Sequence, residues 1–200
     1  MKKLSILFVC VLLFAACKDN PVVKKAKEVK DNVSNTQKVI KESTKMQDDI
    51  KELSEATPLT NDEMKAWLPA ELSGMKRTSF KTGAMGMMNI ASVEATYATE
   101  DKSRSFKVEV IDGAGEMGAL STAGLRMAFS MDFEEETESK TRKTVKKNGV
   151  KAIEEYDKRR NQSVIQFMQD NRFYIKATGE NMEMKELWDL IEDIEIDELG

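Results

Sequence analysis

"VEATYATEDKSRSFKVEVIDGAG" (93–115) decides the fold. Val93, Ala95 and Tyr97 alternate with polar residues, and Phe106, Val108 and Val110 do the same after a polar connection. A period of two in neighbouring segments means two half-buried strands. The period then changes. Met117, Leu120, Ala123/Gly124, Met127 and Ala128 recur at steps of three and four, which predicts a middle helix over 116–129 despite its glycines. A preceding strand is expected over 75–82, with "GAMGMM" (83–88) at the tip between the first two strands.

Downstream the pattern is hairpins. "FEEETE" (133–138) and "TRKTVKK" (141–147) predict an acidic strand beside a basic one, with cross-strand ion pairs on a wet face. Asn148-Gly149 is a strong signal for a tight turn, since both residues tolerate positive φ. "SVIQFMQ" (163–169) and "RFYIKATG" (172–179) flank Asp170-Asn171 as a second tight hairpin. A closing helix carries Met184, Leu187, Trp188, Ile191 and Ile194 on one side. Upstream, Thr60-Asn-Asp-Glu63 is a capping box for a short helix that ends near Trp67, before Pro69. Strands grouped between helices predict an α+β domain over 58–200: a mainly antiparallel sheet of hairpins, packed by a middle helix and a C-terminal helix.

Residues 22–55 contain neither proline nor glycine, and apolar or small residues recur at 22, 26, 29, 33, 36, 39/40, 43, 46, 50 and 53. This predicts a long amphipathic helix of about 50 Å, a stalk. Thr36 and Ser43 weaken its seam as a self-sufficient coiled coil, so leaning on its own domain competes with zipping to an envelope protein or a second copy.

Lys2 and Lys3 precede an apolar run from Leu4 to Ala16, followed at once by Cys17. A positive start, a run too short to span a bilayer and small residues at its end make a secretory signal over 1–16. "FAAC" (14–17) resembles the lipobox of bacterial lipoprotein signals, although leucine stands four rather than three places before the cysteine. The resemblance implies cleavage before Cys17 and a diacylglyceryl thioether on its sulfur, so that 17–57 would be a lipidated N-terminus and stalk. Several acyl chains make release from a bilayer negligible. Lys18 in place of aspartate favours the outer membrane, at its periplasmic face or the cell surface. "VEATYATEDKSRSFKVEVIDGAG" and "DNRFYIKATGENMEMKELWDLIEDIEIDEL" (170–199) also look like a family of uncharacterised bacterial envelope proteins, a resemblance that brings no activity. More distantly the element order is similar to PsbP-like α/β/α sandwiches.

Composition excludes more than it names. The chain has 200 residues, no histidine and two cysteines, one inside the signal and the other the lipidation candidate. Ser-His-Asp and Cys-His catalysis and nearly all zinc sites are thereby removed, and no cofactor is expected. Acids outnumber bases 35 to 31, the reverse of a nucleic-acid-binding surface.

Three constellations remain as candidate sites. Met75, Met85, Met87 and Met88 offer soft thioethers for Cu(I), against the plainer reading of adaptable packing. Glu134/Glu136, Glu154/Glu155 and Asp193/Glu195/Asp197 are carboxylate groupings in charge-dense stretches. Gly113-x-Gly115-x-x-Gly118 matches a dinucleotide fingerprint out of context, among acids that repel phosphate. The expected function is therefore a membrane-anchored envelope lipoprotein, a non-catalytic binding or structural module. Its rivals are a carboxylate-dependent hydrolase of wall polymers and a carrier of a small apolar ligand, the last requiring an enclosed apolar cavity between sheet and terminal helix.

Overall fold

The computed structural model describes residues 44–83, 90–147 and 149–199. The stalk segment before residue 44, Cys17, and Met85, Met87 and Met88 lie outside the described residues. The sheet with its covering helices belongs to one compact unit, Met46–Gly200.

Among the described residues are four α-helices and nine strands. Helix α1 (44–55) is followed by α2 (Asn61–Trp67), β1 (Glu71–Leu72), β2 (Met75–Thr82), β3 (Ser92–Ala98) and β4 (Ser105–Asp112). Helix α3 (Glu116–Ser130) leads into β5 (Glu134–Glu136), β6 (Lys140–Lys147), β7 (Val150–Asp157), β8 (Gln162–Gln169) and β9 (Phe173–Glu180). Helix α4 (Met184–Asp193) and a 3-10 turn over Ile196–Glu198 close the chain. One antiparallel sheet runs in the order β1-β2-β3-β4-β9-β8-β7-β6-β5. The expected α+β class and antiparallel sheet are thus observed. No helix among the described residues is long and apolar enough to cross a membrane.

Local chemistry places the turns and helix ends. The capping box forms as expected: the Glu63 amide donates to Thr60 Oγ1 at 3.2 Å, and the Thr60 amide donates to Glu63 Oε2 at 2.7 Å. Asp170 and Asn171 both take positive φ, and the Arg172 amide closes the turn on the Gln169 carbonyl at 3.0 Å. β1 is an addition to the expected order. Ser73 and Gly74, both at positive φ, fold it back on β2 in a strand too short to show a period.

Register separates the two faces of the sheet. Val145, Ala152, Phe167, Ile175, Val110 and Val93 stand opposite one another across six strands. This apolar face carries α4 and α2: Leu187 approaches Gly179, the Trp188 ring lies 5.9 Å from that of Phe167, and Tyr97 Oη donates to the Pro69 carbonyl at 2.9 Å. Helix α3 lies on the other face, where the Phe129 ring meets Tyr174 at 6.3 Å.

Beyond α3 that second face is an open lattice of charges. Glu94 and Glu109 stand directly opposite, an unfavourable pairing. Lys107 bridges them at 3.4 and 3.3 Å, and Lys81 and Lys176 complete the row from either side. Burial pushes the Glu94 carboxyl pKa up, but Lys81 and Lys107 outweigh it and the net shift is downward.

The ion pairing expected between β5 and β6 is corrected. Glu134 and Glu135 do stand opposite Lys143 and Arg142. The ion pairs of β6, however, run to β7: Lys140 to Glu155 at 3.0 Å, with Arg142 to Glu155 and Lys143 to Glu154 both at 3.9 Å. All three glutamates of β5 are exposed, which blunts the sheet edge instead.

Candidate functional site: an open cleft beside the last helix

A nine-stranded sheet is about 38 Å wide at about 4.8 Å per strand, and two helices about 10 Å apart cover little more than half of it. The apolar face therefore outruns α2 and α4, and β6–β7 lie uncovered beside α4. Two clefts result, both open to solvent. The first holds about 330 Å³ between Thr141, Lys143, Glu154, Tyr156 and the start of α4 at Met182–Met184. The second holds about 460 Å³ between Lys147, Val150, Phe167, Trp188, Ile191 and Ile196. Neither is an enclosed cavity between the sheet and the terminal helix.

Trp188 organises the wall between the clefts. Its indole N–H donates to Glu154 Oε1 at 2.8 Å, and Lys147 Nζ sits 4.7 Å from the ring centroid. Lys147 also pairs with Glu192 at 3.1 Å. The floor is apolar and the rim carries both signs of charge, a surface suited to an amphipathic chain.

The candidate residues fall as follows. Met75 is buried in the hydrophobic core at 5% exposure, so it is packing, and its three companions lie outside the described residues. Glu154 and Glu155, adjacent on a strand, point to opposite faces and do not converge. Asp193 accepts from Ser73 Oγ at 2.5 Å, and Glu195 takes a left-handed conformation. Among the described residues no three His, Cys, Asp or Glu side chains are placed to hold a metal ion.

The glycine fingerprint closes a corner. Asp112, fully buried, accepts from Arg172 Nε at 2.7 Å and Nη2 at 2.8 Å, from the Leu59 amide at 2.8 Å and from the Ala114 amide at 2.9 Å. A Cβ on Gly113 would lie 2.6 Å from the Arg172 carbonyl oxygen, and one on Gly118 would lie 2.8 Å from that of Asp112. The Gly115 amide donates to the Leu53 and Ala56 carbonyls at the end of α1. The chain's own groups fill the place where a phosphate would sit.

Of the candidate residues, Glu154 lines the first cleft and Asp197 the second, but the clefts themselves were not expected. Their signal in the sequence was the number of strands against the number of helices, together with a tryptophan in an otherwise aliphatic helix face.

No family model matches the chain, and a search of curated proteins found no match. Among solved structures, a GTP binding regulator from Thermotoga maritima aligns over 68% of this chain and 84% of its own, at 11% identity and a TM-score of 0.31. A likeness of that size carries no argument.

Proposed function

We propose that this chain is a lipid-anchored protein of the bacterial cell envelope, held through acylated Cys17, whose domain binds a protein segment in the cleft beside α4 and performs no catalysis. The observation that carries the anchor is Cys17 standing directly after "FAA" at the end of a lysine-led apolar run. What supports binding over chemistry is the state of the carboxylates at the cleft. A general acid needs a carboxylate withdrawn from water and from cations. Glu154 is held by Trp188 and Lys143, while Glu183 and Asp197 stand exposed on the rim. Outer-membrane placement and a stalk over 22–55 belong to the same proposal.

The test is photo-crosslinking in the cell, with the reactive side chain placed at Met184, at Val150 and, as control, at Lys81 on the opposite face. Adducts to one protein from the two cleft positions and none from Lys81 are expected. Equal trapping at all three would remove the cleft from the proposal. Hydrolysis of wall polymers by the purified protein, lost in Glu154→Gln, would put the hydrolase in its place.

A further inference from the structure

Four large apolar side chains stand exposed among the described residues: Met117 at 40% and Leu120, Met127 and Met131 each at 56%. All four belong to α3 or its C-cap. With Gly124 they are spaced three, four, three and four residues apart, so they form one stripe along the outer side of the helix. No charged group interrupts it between Glu116 and Asp132. The one candidate, Arg126, is turned inward, donating to Thr122 Oγ1 at 2.8 Å and to the Ala119 carbonyl at 2.8 Å. In a chain that is 33% charged, a bare apolar helix face fifteen residues long needs a cover.

We infer that the cover is a second copy of this chain, with α3 packing antiparallel on α3 about a two-fold axis near Gly124. The stripe is nearly palindromic about that residue. Met117 lies seven residues before it and Met131 seven after, and Leu120 and Met127 fill the intermediate turns on the same face. A two-fold interface requires such self-complementarity. A Cβ on Gly124 would meet nothing within 4 Å, so the outer side is open there and two helices can approach closely at the axis.

Charge selects the direction and the occupant. A parallel arrangement would set Glu116 against Glu116 and Asp132 against Asp132. The antiparallel one sets Glu116 opposite the partner's Asp132, whose charge is offset by Lys151 at 2.7 Å, with Lys151 also held by the Ser130 carbonyl. A bilayer surface fits poorly, because Glu116 and Asp132 bound the face at both ends with acid and anionic headgroups repel acid. Four half-exposed side chains bury roughly 400 Å² per copy, about half of what a stable interface uses. The dimer is accordingly weak and concentration-dependent.

Residues 18–200 keep the whole compact unit and contain no cysteine, so an introduced cysteine is the sole thiol. Under oxidation, Gly124→Cys is expected to link to itself. Met117→Cys and Met131→Cys should link to each other when mixed, at least tenfold faster than either links alone. Leu120→Glu should return the sedimenting species to monomer while leaving the melting temperature and circular dichroism in place. Three results would each overturn the inference: self-linking of Met117→Cys in preference to the mixed pair, a monomer with no cross-links up to about 1 mM, or a monomer in which all three thiols resist a maleimide, which would show residues 22–43 covering the face instead.

Discussion

Helices α3 and α4 lie on opposite faces of one sheet and solve opposite problems. Helix α4 turns its large side chains inward: Leu187, Trp188, Leu190 and Ile191 are all buried, and its polar residues face water. Helix α3 turns its small and polar ones inward, burying Gly118, Ala119, Thr122 and Arg126 besides Phe129, and leaves three methionines and a leucine outside. The first is held by apolar area, the second by close backbone approach and a buried ionic corner. An amphipathic pattern says which side of a helix is apolar. It says which side faces the core only when the other side is polar.

Replacements on each side can break or sharpen this contrast, taken from the largest expected effect downward. Asp112→Ala strands Arg172 and two backbone donors, the Leu59 and Ala114 amides, at the root of α3, and should cost about 3–5 kcal/mol by chemical denaturation. Leu187→Ala opens a cavity under α4 and should cost about 2–5 kcal/mol. Leu120→Ala, the same change on the outside of α3, should stay within about 0.5 kcal/mol for the monomer. If the two leucines cost the same, the contrast fails. Gly118→Ala forces a methyl onto the Asp112 carbonyl and should cost about 1–3 kcal/mol, where Gly124→Ala should be neutral or slightly stabilising.

The face under α3 also carries a pH signature. Burial, and then the nearby Glu109, push the Tyr174 phenol up to about 12. Its folded pKa therefore lies above the unfolded value of about 10, so the folded state holds the proton more tightly. This contribution is complete below about pH 10 and is lost as pH rises towards 12. Urea midpoints measured at rising alkaline pH should fall in the wild type and fall less in Tyr174→Phe. Lys107→Met, which leaves Glu94 and Glu109 facing each other, should have a small effect, up to about 1 kcal/mol, because the row is partly exposed.

Much of the fold was legible in the residues themselves. The alternation of Val93, Ala95 and Tyr97, and of Phe106, Val108 and Val110, fixes two strands and their inward face. The turn at Asp170-Asn171, the cap at Thr60 and the apolar side of α4 each rest on local chemistry that nothing distant overrides. What was hidden depends on assembly. β1 is two residues long and shows no period. Lys143 and Arg142 each have a glutamate directly opposite on both neighbouring strands, and register alone does not say which of the two each one reaches. The direction of α3 follows from the corner at Asp112, whose partners Leu59 and Arg172 lie 53 and 60 residues away in the chain. The cleft is a remainder, the width of sheet that two helices leave over, and no single residue announces it.

The proposed anchor would place all of these surfaces at a membrane, and it rests on one sulfur atom. Cells fed a radioactive fatty acid and expressing either the wild type or Cys17→Ala test it directly. Label is expected on the wild-type protein and none on the variant, whose chain should be uncleaved or released. Equal labelling of the two, or no label on either, would contradict the anchor.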